Sequence, residues 1–167
     1  MAFLYHAVPH DMRGGVICPL RKLRLRHQDL WEKHMSKYED RQRPEETTVS
    51  LLDCAFDEVI NLTPVHPQKT RNALRRAGIP WSVLTYYEIP VSMFNPDNAV
   101  MMYWARGNLV FEQFGLVPID RYSEIPFETI DYYKKCSPEA PFLQQFVPHV
   151  LYRGQLNITG LRIVEGR

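Results

Sequence analysis

The chain has 167 residues, of which 45% are hydrophobic and 23% charged, and its formal net charge at pH 7 is +1. A chain of this size and composition can bury a sizeable core, which argues against disorder. No stretch approaches the roughly 18 apolar residues of a membrane-spanning helix, and the first residues lack the pattern of a secretory leader. We therefore expect a single domain over residues 1–167, in the cytoplasm and without a membrane partner.

Strand and helix patterns alternate in the N-terminal half. Residues 2–8 are apolar apart from one histidine and end at Pro9, which predicts a short strand running into a turn. Residues 29–43 carry apolar side chains at i, i+4 and i+7, which predicts an amphipathic helix that Pro44 would end. Residues 51–63 mix aliphatic and β-branched side chains and predict one or two strands.

The clearest local signal in the sequence is a helix pattern that follows these strands. Pro67 stands at a first helical position and Gly78 at a residue just past a helix end, so residues 67–77 predict a helix of about three turns. Residues 81–89 and 99–104 are rich in branched and aromatic side chains and predict core strands.

The C-terminal part predicts one or two short helices and then a return to sheet. The helices are expected around Pro126, and residues 146–164 are typical of strands that turn at Gly154 and Gly160. Strands at both ends with helices between them predict an α+β fold whose termini meet in one sheet.

The cysteines and histidines do not form a recognisable metal or disulfide pattern. The cysteines are odd in number and far apart: Cys18, Cys54 and Cys136. His6 and His10 lie on either side of a proline, and His27 and His34 would be two helical turns apart, so neither pair could share one ion. We expect buried thiols and no structural metal. Walker loops, dinucleotide-binding glycine fingerprints and nucleophile elbows are also absent from the sequence.

Basic residues fall in two clusters. Between Arg13 and Arg43 there are nine lysines or arginines against four acids, and a second cluster follows near residue 70. Within that second cluster, we predict Arg71, Arg75 and Arg76 to be nucleic-acid-binding residues, because such side chains neutralise phosphate oxygens. An ordinary solvated helix face is the alternative for either cluster.

Two histidines stand in predicted strands where an apolar residue would fit better. They are His6, between Tyr5 and Ala7, and His149, between Pro148 and Val150. A polar ring in such a place needs a partner, which is either a ligand or a backbone carbonyl of the core.

Several short motifs follow one another in the order of a known superfold. They are Tyr5-His6 in the first strand, Lys37-Tyr38 and Arg41 at the end of the predicted helix, Val59-Ile60-Asn61-Leu62, and then Pro64 and Pro67 before a helix. This order resembles the ADP-ribosyltransferase superfold and is similar in particular to the DarT-like toxins that target nucleic acids. The motifs are two to four residues long, and their order spans most of the chain.

The resemblance implies a split, mixed or antiparallel β-sheet with short helices and with NAD bound in its cleft. It implies that Tyr5 and His6 contact NAD and that Arg41 contacts the diphosphate. Family members commonly place a glutamate on the late strand, where it stabilises positive charge on the ribose. Here His149 takes that position, so His6 and His149 are the predicted catalytic residues, and ADP-ribose would pass to a nucleic acid or protein acceptor.

Other classes of function remain open at this point. The basic helices, together with aromatic residues such as Trp31 and Tyr38, also fit a non-catalytic module that binds nucleic acid or a protein partner. A small accessory or immunity-type protein with structural histidines is a third alternative.

Overall fold

The computed structural model describes five stretches of the chain: residues 2–38, 43–81, 83–116, 118–138 and 142–166. Within them the α-helices are α1 (Leu20–Arg26), α2 (Gln28–Met35), α3 (Pro67–Arg76) and α4 (Phe127–Lys135). The strands are β1 (Phe3–Ala7), β2 (Val16–Ile17), β3 (Thr48–Val49), β4 (Cys54–Ala55), β5 (Ile60–Leu62), β6 (Thr85–Pro90), β7 (Ala99–Ala105), β8 (Asn108–Gln113), β9 (His149–Tyr152), β10 (Leu156–Asn157) and β11 (Arg162–Glu165). The predicted α+β class is confirmed.

Helix α3 forms as its sequence predicts. The side chain of His66 caps the helix, since its Nδ1 accepts a hydrogen bond from the Gln68 amide at 3.1 Å. The chain leaves the helix at Gly78, whose φ of +74° lies in the left-handed region that glycine adopts without strain. Thr70 and Leu74 face the interior of the protein.

The other N-terminal helices differ from the prediction. The α-helical part of the segment predicted over residues 29–43 ends at Met35 and continues as a 3-10 turn over Ser36–Tyr38, while residues 39–42 lie outside the described stretches. Helix α1 was not predicted, because it buries none of its residues and therefore has no complete apolar stripe.

The described strands form two main sheets, and every strand pair in them is antiparallel. One sheet has the order β1-β6-β11 and the other the order β5-β9-β7-β8, with small two-stranded sheets β2/β10 and β3/β4 beside them. The expected meeting of the two termini is confirmed, since β1 and β11 pair with the same strand, β6.

The two main sheets meet at one residue pair. Tyr5 of β1 and Thr63, just after β5, exchange two backbone hydrogen bonds of 2.8 and 3.0 Å, and this bridge is isolated from the named strands. The strands therefore line up as β11-β6-β1-β5-β9-β7-β8, with a single bridge joining β1 to the residue that follows β5.

Hydrophobic side chains cover both faces of this arrangement. The main core includes Leu4, Leu62, Ile89 and Val150, which are at most 1% exposed and come from β1, β5, β6 and β9. On the opposite face, three smaller clusters pack against the sheets, and helices α3 and α4 contribute to one of them. No helix among the described residues is long and apolar enough to cross a membrane.

Candidate functional site

His6 lies one residue beyond the bridge that joins the two sheets, and its side chain is partly exposed. Its Nδ1 is 2.7 Å from the carbonyl oxygen of Ala7. Because a carbonyl only accepts, Nδ1 carries the proton and Nε2 is left as an acceptor. Desolvation by the surrounding protein lowers the pKa of His6 to about 4. The bond to Ala7 opposes this effect and His34 adds to it, so the ring is neutral at pH 7.

His149 is in a different environment. It is 9% exposed in β9, and its Nδ1 has no hydrogen-bond partner within the stretches that the structure describes. Burial lowers the pKa of His149 to about 4, an effect that the backbone of Val147 partly opposes. His149 is therefore a neutral core histidine at pH 7.

The register shows which of the predicted residues share a face. Thr63 pairs with Tyr5. It also lies opposite His149, because the antiparallel register pairs the preceding residue, Leu62, with Val150. Residues directly opposite one another point to the same side, whereas successive residues of a strand alternate. Tyr5 and His149 are thus on one face, and His6 is on the other.

The remaining predicted residues lie elsewhere. Arg41, the predicted diphosphate contact, is outside the described residues. Arg75 and Arg76 are exposed at the end of α3, and Arg71 is half-buried one turn earlier.

Sequence analysis missed Glu88, which stands in the middle strand β6 directly opposite Tyr5 on one side and Arg162 on the other. Only 12% of its side chain is exposed, and its Oε2 is 3.5 Å from Nη1 of Arg162. Burial and then the neighbouring carboxylate of Glu88 raise the pKa of Tyr5. An acid within the apolar run of residues 81–89 was the available signal, of the same kind that drew attention to His6.

His66 completes this cluster. Its ring centroid is 5.1 Å from that of Tyr5 in an edge-to-face arrangement. Since its Nδ1 accepts the Gln68 amide proton, Nε2 carries the ring proton in the neutral form. Burial lowers the pKa of His66, an effect that Glu88 opposes, so the neutral form prevails at pH 7.

We call Tyr5, His66, Glu88 and Arg162 the Glu88 cluster, and a cavity of about 310 Å³ lies against two of its members. His66 and Arg162 line the cavity together with residues 163–165 of β11. Its volume is at the lower end of the range for organic ligands. The cluster combines a nearly buried carboxylate, a phenol, an imidazole N–H and a guanidinium, which together can bind hydroxyl and phosphate groups.

A second cavity, of about 430 Å³, lies between α2 and the loop after β1. Its polar lining consists of two ion pairs, one between Arg13 and Asp29 at 2.7 Å and one between Lys33 and Asp11. Each cation is already neutralised by an acid, so this cavity has no excess charge for an ionic ligand.

The described residues contain no group of three or more histidine, cysteine or acidic side chains that could hold a metal ion. The expected burial of the thiols is confirmed for Cys54, whereas Cys18 and Cys136 are partly exposed. Burial raises the pKa of the Cys18 and Cys54 thiols, which keeps both protonated at neutral pH.

Comparison of the chain with family models, with curated proteins and with solved structures found no significant match.

Proposed function

We propose that the chain is an ADP-ribosyltransferase-like domain that binds NAD where its sheet is split and transfers ADP-ribose to a nucleic acid or protein. The observation that carries the proposal is the position of Glu88, a nearly buried carboxylate beside Tyr5. Tyr5 belongs to β1, the strand that forms the bridge to the second sheet. In the resemblance, His149 stands where family members place a glutamate, and Glu88 is a candidate for the role of that glutamate.

The chemistry of the Glu88 cluster suits this reaction. Cleavage of the bond between nicotinamide and ribose builds positive charge on the ribose, which a carboxylate in a site of low dielectric stabilises. The guanidinium of Arg162, 76% exposed beside the cavity, is placed to meet a phosphate group. His6 lies on the opposite face of the sheet from the Glu88 cluster, so it is given no part in this step, and Arg41 remains the predicted diphosphate contact.

The test compares Glu88→Gln with wild type for NAD binding and for NAD cleavage. Millimolar NAD should raise the melting temperature of both proteins, because a ligand bound only by the folded state stabilises it. Cleavage should fall by at least about 100-fold in Glu88→Gln, since the amide carries no charge to stabilise the transition state.

Glu128→Gln is the matched control, because Glu128 is exposed in the first turn of α4. It should behave like wild type in both measurements. A wild-type protein whose melting temperature does not respond to NAD would overturn the proposal, and so would a Glu88→Gln protein with full activity.

A non-catalytic module that binds nucleic acid is the second candidate function. It is favoured by Arg71, Arg75 and Arg76 of α3, for which no ion pair occurs within the described stretches. If α3 binds phosphates, reversal of all three charges to Glu should weaken binding of an oligonucleotide. It should also reduce the log–log salt slope by about 0.7 to 0.9 for each phosphate that the helix no longer neutralises. Unchanged affinity and slope in fluorescence anisotropy would remove α3 from this role.

A further inference from the structure

The lysines and arginines of the described residues divide into paired and unpaired groups. Those within salt-bridge distance of a carboxylate are Arg13, Arg21, Lys33, Arg43, Lys69, Lys135, Arg153 and Arg162. The unpaired ones are concentrated on two helices, α3, discussed above, and α1.

Helix α1 is basic along its whole length. Its sequence contains four cations and no acid, and only Arg21 is held by carboxylates, those of Asp57 and Glu58. Lys22 and Arg26 are both exposed and are four residues apart, so they are neighbours on the outer side of the helix. Two like charges at this spacing destabilise a helix, and no acid in the described part of the chain offsets them.

Arg24 adds a third charge to the helix, but it is two residues from Lys22 and from Arg26 and therefore lies on the opposite side, toward α2. Its guanidinium lies 4.9 Å from the centre of the Trp31 ring of α2, an arrangement that fixes the side chain while leaving its charge uncompensated. Leu25, between Arg24 and Arg26, is 83% exposed. We call the exposed pair Lys22 and Arg26 the α1 basic surface.

We infer that the α1 basic surface binds the phosphate backbone of a nucleic acid. Two adjacent exposed cations on a helix that carries no acid match a polyanion with closely spaced charges, and Arg24 adds to the positive charge of the same helix from its other side. A membrane is disfavoured, since an interfacial helix needs an apolar face along its length and α1 exposes only Leu25 in this way.

This inference does not depend on the proposed NAD chemistry, because the α1 basic surface shares no residue with the Glu88 cluster. If the chain is an ADP-ribosyltransferase acting on nucleic acid, the same surface would hold the acceptor. If it is a binding module, the surface is part of its binding site.

The test uses a fluorescein-labelled 20-nucleotide single strand and the duplex of the same sequence, with anisotropy measured between 50 and 200 mM salt. The Lys22→Glu/Arg26→Glu variant should bind at least about tenfold more weakly than wild type at 100 mM salt. Its log–log salt slope should be shallower by roughly 1.4 to 1.8, because two fewer phosphates are neutralised.

The matched control is Arg121→Glu/Lys134→Glu, which reverses two exposed charges outside α1 and should stay within about threefold of wild type. Equal losses in the two variants would mean that net charge, rather than α1, governs binding, and would overturn the inference. So would the absence of wild-type binding at 50 mM salt, or binding only to phosphatidylserine vesicles. The same variants should respond to NAD with the same change in melting temperature as wild type. A failure of nucleic-acid binding can therefore be told apart from a failure of NAD binding.

Discussion

At the scale of single residues, His6 and His149 differ in their exposure and hydrogen bonding, although both are histidines in strands. The sequence marks His6 and His149 in the same way, as histidines among apolar neighbours. In the folded chain, His6 is partly exposed and bonded to Ala7, whereas His149 is 9% exposed with an Nδ1 that finds no partner in the described stretches. Of the two histidines, His6 is therefore the one more open to a ligand.

The pKa values predict that these histidines make the fold sensitive to acid. Unfolded histidine takes up a proton near its ordinary pKa of 6.5, while folded His6 and His149 remain neutral down to about 4. The unfolded state therefore binds more protons between these values, so the free energy of unfolding should fall as the pH drops from about 6.5 to 4 and should lose no more from these groups below that.

Replacement of His149 by Leu tests this. Folded His149 stays neutral at pH 5, whereas the unfolded ring takes up a proton. This difference should make the free energy of unfolding about 2 kcal/mol lower at pH 5 than at pH 7, and His149→Leu should lack this part of the loss. Urea denaturation of both proteins at pH 7 and pH 5 measures the difference, with His10→Gln as the control because His10 is exposed. An identical pH dependence in wild type and His149→Leu would contradict the assignment.

At the scale of elements, α1 shows how a helix without a buried residue is held in place. Nε and Nη2 of Arg21 reach the two carboxylate oxygens of Asp57 at 3.1 and 2.9 Å, and its Nη1 lies 3.2 Å from Glu58. The Asp57 carboxylate is 11% exposed, so this bidentate pair is partly shielded from water. Polar contacts thus take over part of the role that an apolar stripe has in α3.

We expect Asp57→Asn to destabilise the protein by about 1 to 3 kcal/mol, because it breaks a shielded, bidentate ion pair that anchors α1. Asp29→Asn is the comparison, since it breaks the ion pair between Arg13 and Asp29, in which both side chains are more than half exposed. That change should cost much less than Asp57→Asn, because water screens an exposed ion pair. Chemical denaturation of both variants measures the loss in free energy of unfolding. Equal losses would show that the ion pair at Asp57 stabilises the protein no more than the exposed pair does.

The elements also differ in how well local sequence predicts them. Helix α3 carries its own start and stop signals in Pro67 and Gly78, and its predicted bounds agree with the structure. Helix α1 and strand β8 carry no such signals, and neither was predicted. Strand β8 forms because it pairs with β7, a contact that local propensity does not encode.

At the scale of the whole molecule, the candidate site depends on strand pairing across the sheet β1-β6-β11. The bridge between Tyr5 and Thr63 joins that sheet to the other main sheet. Pairing brings together strands from the beginning, middle and end of the chain, so that Tyr5, Glu88 and Arg162 become neighbours across three strands. These residues are far apart in the sequence, and no local pattern links them.

By itself, the sequence determined the α+β class, the bounds of α3, the strand character of both termini and their meeting in one sheet, because these follow from periodicity and from turn and cap residues. Tertiary structure alone decided that Tyr5 faces Glu88, that His6 and His149 point to opposite faces, and that one of those histidines is buried. The physical reason is that strand register sets these relations. A shift of one residue in pairing exchanges the two faces of a strand, and register is set by long-range packing of the whole core.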